Sequence, residues 1–158
     1  MKNLFAPWRM EYIKSDKPEG CIFCKDSIRD DELILHEGKY SFVMMNRYPY
    51  INGHLLIAPF RHVSNLEDLT SEEKREIFDF LDVSVRAIKE AMMSDGFNVG
   101  MNLGKVAGAG VDDHIHVHVV PRWNGDTNFM TVLGETRVIP EDIKKTRNVL
   151  LSYFNKLK

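Results

Sequence analysis

Two cysteines in 158 residues are too few for a secreted disulfide scaffold. No apolar run reaches the roughly 20 residues that a membrane-spanning helix requires, so no membrane partner is expected. Neither sign of charge dominates: 21 Lys and Arg stand against 23 Asp and Glu, a formal net charge of -2. That balance lacks the footprint of a protein that binds long nucleic acid, and an anionic ligand has to be met by local donors. Low-complexity segments and internal repeats are missing as well. The stretch MKNLFAPWRMEY has no signal-peptide apolar region, which leads to the expectation of a cytoplasmic protein. The length suits one domain, residues 1–158, with a real core.

What the chain does have is His114-Ile115-His116-Val117-His118-Val119-Val120-Pro121. Half of its six histidines alternate here with β-branched residues. A strand turns successive side chains to opposite faces, so this pattern predicts three imidazoles on one face, about 6–7 Å apart. Ile115, Val117 and Val119 are expected to face a core. Imidazole serves as nucleophile, proton donor or metal ligand near neutral pH, which makes the run a candidate reaction centre. One straight strand cannot easily wrap all three rings around one ion, because the outer pair stands about 13 Å apart. Different jobs for the three are expected.

The rest of the chain reads as an α+β arrangement. Residues 1–20 form an arm carrying Phe5, Trp8 and Tyr12, followed by the knuckle Cys21-Ile22-Phe23-Cys24. Leu33–His36 and Tyr40–Met45 predict a hairpin, and Leu55–Ala58 a further strand ended by Pro59. Thr70-Ser71-Glu72-Glu73 is a capping box. Behind it, Ile77, Phe78, Leu81, Val85, Ile88 and Met92 predict one buried helical stripe that stops near Asp95-Gly96. Phe97, Val99 and Met101 alternate with polar or small residues as in a half-buried strand. Lys105–Gly110 is a small-residue loop. Pro140 is expected to open a last helix, with Glu141 and Asp142 in its first turn and Ile143, Leu150 and Phe154 on one stripe. Consecutive strands with one long helix between them suggest an antiparallel sheet covered on one face.

Cys21-x-x-Cys24 admits three readings from its residues alone. A redox pair usually holds proline or glycine between the cysteines, which Ile22-Phe23 does not match. A buried pair and half of a zinc site both stay open.

HIHVHVVPRW, with GAGVDD before it, resembles the signature of the histidine-triad (HIT) superfamily of nucleotidyl hydrolases and transferases. NRYPYINGHLLIAPFRH is similar to that family's first ligand-binding stretch. LFAPWRMEYI and PRWNGDTNFM resemble the branch that contains bacterial diadenosine tetraphosphate phosphorylases. The resemblance implies a five-stranded antiparallel sheet with a long central helix and a C-terminal helix, paired in a two-fold homodimer. It implies His116 as nucleophile, its tautomer set by a backbone carbonyl near His114, and His118 as a donor to phosphate oxygens. Such a reaction runs through a nucleotidyl-histidine intermediate, which splits one hard displacement into two easier ones. His54 matches a recurrent histidine with an orienting or a structural role.

The same resemblance places the α-phosphate against Gly108, Ala109, Gly110 and Val111, whose amides can form an anion nest. It puts Asn102 near phosphate, Asn46 near ribose, and Trp123 beside the nucleotide. For the cysteines it supplies the missing partners, His62 and His114, giving a closed structural zinc site with Cys21 and Cys24. The implied substrate is an adenine nucleotide or dinucleoside polyphosphate, cleaved at its α-phosphate by a phosphorylase or hydrolase. Ala109-Gly110 stands where phosphorylase relatives carry a serine, which leaves phosphate or water open as the acceptor. The rival functions are a nucleoside phosphoramidate hydrolase and a non-catalytic nucleotide-binding protein.

Overall fold

Short β-branched and aromatic segments bounded by turns pair here into one antiparallel sheet. A computed structural model describes residues 20–24, 28, 32–107, 113–126 and 139–156. The strands are β1 (Ile34–Glu37), β2 (Ser41–Met45), β3 (Leu55–Pro59), β4 (Gly96–Gly100) and β5 (Val117–Arg122). Their order across the sheet is β1-β2-β3-β5-β4. β2 and β3 are buried along their whole length, and the core is built on Phe42, Val43, Leu55, Ile57 and Val119. The helices α1 (Ser71–Met92) and α2 (Ile143–Asn155) pack on each other; α1 lies over β2, β3 and β5, and α2 over β1. The aromatic arm and the 108–111 loop fall outside the described residues.

The predicted capping box is present. Glu73 N–H donates to Thr70 Oγ1 at 3.2 Å, and Thr70 N–H donates back to Glu73 Oε2 at 2.8 Å. Arg61 adds a two-pronged ion pair to the same carboxylate, at 2.7 Å on each oxygen. That guanidinium is the main reason the Glu73 carboxyl ionises below its ordinary range, against the opposing effect of burial.

The β1–β2 hairpin is fastened to α1 through Glu76. Its carboxylate accepts from Lys39 N–H, Tyr40 N–H and Ser41 Oγ. Gly38 lets this approach happen, because a Cβ there would lie 2.6 Å from Glu76 and Phe80.

Several expectations need correction. β5 begins at Val117, not at His114. Its ladder with β3 covers only Val117–Val119, and ahead of it Ile115 N–H bonds to Val63 O at 2.7 Å. The chain carrying His114 and His116 is thus tied to the segment after β3 rather than to a strand partner.

The buried face of α1 is Glu73, Ile77, Phe80, Ser84, Ala87 and Ile88. Phe78 is 67% exposed, and Leu81 and Val85 are half-buried. The helix ends at Met93, which takes the left-handed cap with φ 51 before Gly96 is reached. β4 occupies a sheet edge that α1 does not cover, so Val99 is 47% exposed instead of buried. α2 starts at Ile143, two residues after Glu141. Asp142 is its N-cap, accepting from Lys144 N–H and Lys145 N–H, and Thr146 joins Leu150 and Phe154 on the buried face.

Candidate active site and metal centre

The histidine segment leads into β5, between β3 and β4, and imidazoles collect there. His116 is 7% exposed. Burial pushes its pKa below the ordinary value, more than its hydrogen bond to His114 raises it. Its Nδ1 donates to the His114 backbone carbonyl at 2.9 Å. A neutral ring carries one proton, so this bond leaves Nε2 with a free lone pair. The nitrogen can attack an electrophile.

His118 follows at a ring separation of 4.8 Å. Burial, with a smaller contribution from His116, lowers its pKa to about 4. Its tautomer comes from a relay through fully buried His54. Tyr50 N–H donates to His54 Nδ1 at 3.1 Å, so that nitrogen is an acceptor. Asn46 Nδ2 also reaches it, at 3.2 Å. The His54 proton therefore sits on Nε2 and is given to His118 Nδ1 at 2.9 Å. His118 is left protonated at Nε2, a buried donor with no partner among the described residues. An acceptor such as a phosphate oxygen satisfies it, which accords with the cost of leaving a buried donor unpaired.

The loop that supplies this relay is held at both ends. Gly53 precedes His54 at φ +78, a conformation that glycine adopts freely, and a Cβ there would lie 2.7 Å from Met92 Sδ. Asn52 meets Thr146 of α2 at 3.0 Å. Asn46 Oδ1 accepts from Tyr48 N–H at 2.9 Å, so the side chain expected at a ribose is braced on this loop beside the relay. The Tyr50 ring stacks on His118 with centroids 5.7 Å apart and planes at 20°. Asn102 lies two residues past Gly100, whose register partner is His118, on the course toward His116.

Trp123 follows directly on the end of β5. It lies five residues beyond His118, about 16 Å along β5. Its Nε1–H donates to Met92 O at 3.1 Å, capping a carbonyl at the end of α1. Gly108, Ala109, Gly110 and Val111 lie outside the described residues.

Beside the reaction centre, Cys21, Cys24, His62 and His114 place one donor atom each within 4.8 Å of one another. Cys21 Sγ lies 3.1 Å from His114 Nδ1, and Cys24 Sγ lies 3.3 Å from His62 Nδ1 and 4.0 Å from His114 Nδ1. Sulfur and nitrogen corners of a zinc tetrahedron stand about 3.5 Å apart, so the set fits. His114 Nε2 donates to Pro59 O at 2.9 Å, which keeps the Nδ1 lone pair for an ion. His62 Nε2 lies 3.6 Å from Asp113 Oδ2, the carboxylate partner that metal-binding histidines commonly have. Burial pushes the Cys21 thiol up to about 11, and a divalent cation is what stabilises its thiolate in such a setting.

Two contributors escaped sequence reasoning. Phe23 carries no polar group, and Tyr50 acts through its backbone N–H and ring face. The available signal was position: Tyr50 stands four residues before His54, and Phe23 stands between two cysteines.

The fold and its clustered histidines define an α+β protein with a candidate reaction centre at the start of β5. The HIT domain profile matches residues 29–125. The AP-4-A phosphorylase of Mycobacterium tuberculosis is 40% identical over 161 aligned positions, which span 95% of this chain and 83% of the relative. The bis(5'-adenosyl)-triphosphatase of Saccharomyces cerevisiae is 38% identical over 93 positions, 58% of this chain and 45% of that protein. Among solved structures, a Zn-bound histidine triad family protein from Mycobacterium smegmatis superposes with a TM-score of 0.71 at 30% identity. That match covers 87% of this chain and 94% of the other. The chain belongs to the HIT family.

Proposed function

We propose that this protein is a HIT enzyme that cleaves diadenosine polyphosphates at an α-phosphate through a nucleotide linked to His116. The observation that carries the reading is the pair of complementary tautomers: His116 with a free Nε2 lone pair and His118 with a free Nε2 donor, their rings 4.8 Å apart. His116 Nε2 attacks the α-phosphorus, and the bond to the leaving phosphate breaks. His118 donates to a phosphate oxygen beside the scissile bond as charge grows there. Water or inorganic phosphate then takes the nucleotidyl group and frees His116. Asn102 and the 108–111 amides are assigned to phosphate, and Asn46 to ribose. Trp123 is assigned a place beside the nucleotide.

Zinc is assigned to Cys21, Cys24, His62 and His114 as a closed structural site, supported by the fit of the donors and by the zinc-bound relative. When bound, it supplies a fixed cross-link and no chemistry. A homodimer is assigned to the flank of α1 that carries Phe78, Leu81 and Val85, together with the edge of β4, which has no further strand partner among the described residues. Glu76 and Phe80 face the hairpin and α2, and the exposed stripe lies on the opposite flank, toward the β4 side. Phe78 is 67% and Val99 47% exposed, apolar surface that such pairing would cover. A single domain and a cytoplasmic location complete the reading.

The deciding experiment incubates the protein with diadenosine tetraphosphate, with and without inorganic phosphate, and identifies the products. ADP plus ATP in the presence of phosphate means phosphorolysis; AMP plus ATP means hydrolysis. No cleavage under either condition overturns the proposal and favours a binding protein.

A further inference from the structure

We infer that Phe23 is a positioning residue for the His116 imidazole, coupling the Cys21–Cys24 turn to the reaction centre. The inference rests on the reading of His116 as nucleophile. Phe23 is 2% exposed although Ile22 before it is 44% exposed and Cys24 after it is half-buried. The turn is compact: Phe23 N–H donates to Cys21 Sγ at 3.4 Å, and Cys24 N–H to Cys21 O at 3.3 Å. With its backbone so held, the side chain has one way to go, into the sheet.

There the ring meets both histidines that matter. Its centroid lies 4.9 Å from that of His116 with planes at 44°, and 5.6 Å from that of His114, nearly edge-on at 68°. Phe42 backs it at 6.4 Å. The His116 ring is thus confined from two directions. The His114 carbonyl holds Nδ1, and the Phe23 face blocks rotation of the ring plane. Both restraints start from the same cluster, since His114 and the cysteines flanking Phe23 are the candidate metal ligands. An imidazole tethered by one hydrogen bond alone can still swing about it, and in-line attack tolerates little of that.

The test compares wild type with Phe23→Leu, which keeps the site apolar but removes the flat wall. Three quantities are read on the zinc-loaded full chain: bound zinc, steady-state kinetics with diadenosine tetraphosphate, and the ring-nitrogen NMR signals of His116. The expected result is unchanged zinc, KM within about 3-fold, and kcat lower by about 10- to 100-fold. His116 should move from one fixed tautomer to exchange between two, while His54 and His118 keep theirs. Unchanged kcat together with an unchanged His116 signal overturns the inference. If Phe23→Leu sheds its zinc, Phe42→Leu decides instead, because it loosens the ring from behind and leaves the turn intact. A smaller kcat loss with His116 tautomer exchange supports the inference, and wild-type values refute it. Failure of the underlying reading is separate: wild type itself would then not turn over, and the tautomer comparison would still report on Phe23.

Discussion

Whether an imidazole attacks or donates depends on which ring nitrogen holds its proton, and here neighbouring groups decide that. Tyr50 N–H orients His54, His54 orients His118, and the His114 carbonyl orients His116. His116→Ala is expected to lower turnover by about 10³-fold or more while nucleotide affinity persists, because the loss falls on the chemical step. Rapid-mixing kinetics and calorimetry check it, and near-normal turnover in the variant would remove His116 from the mechanism. The His118 pKa of about 4 lies below the ordinary 6.5. Between these values the unfolded chain takes up a proton that the folded one refuses. Stability from the neutral ring is therefore complete above pH 6.5 and declines as pH falls toward 4. Thermal melts at pH 6.5 and 4.5 should show a smaller drop for His118→Gln than for wild type. Equal drops would mean that the ring is not held neutral.

At the scale of elements, α1 acts as the frame. Its N-terminus is closed by Thr70 and Glu73, with Arg61 reaching in from the chain just before His62. Thr70→Ala removes the side-chain acceptor and is expected to cost about 1–2 kcal/mol, lowering the melting temperature by about 2–8 °C. Denaturant titration measures it, and a change below about 0.3 kcal/mol would show that the Arg61 clamp alone holds the end. The far end of α1 meets Trp123, and α2 meets the His54 loop through Thr146 and Asn52. Both contacts fall toward the C-terminal end of β5, where Gly53 lies against Met92 and Pro121.

For the whole molecule, the candidate metal centre joins parts of the chain that lie far apart: Cys21 and His114 are 93 residues distant in sequence. Metal analysis is expected to give about one zinc per chain, and a chelator should lower the melting temperature by roughly 10 °C or more. Activity lost on chelation with an unchanged melt would contradict a structural site. The second prediction concerns assembly. Wild type should sediment as a dimer, and Phe78→Asp combined with Val99→Lys should sediment as a monomer, because charge on that apolar flank must be desolvated on pairing. A monomeric wild type would refute it.

Local periodicity determined much of this protein. The hairpin, the Thr70 capping box, the central helix and the antiparallel arrangement all depend on residues a few positions apart, and such patterns are written along the chain. The clustering of Cys21, Cys24, His62 and His114 was legible too, through the resemblance that the alternating histidines carry. Tertiary structure alone decided the rest. Val117 starts β5 because the Val63 carbonyl captures the chain ahead of it, a partner that no alternation announces. Phe78 is exposed because it lies off the buried face of α1, and Val99 because β4 is an edge strand of the sheet, although their spacing is the same as that of buried residues. Trp123 caps a helix end, and Phe23 faces His116, through contacts between segments distant in sequence. Periodicity states which side chains share a face, but only packing states what that face meets.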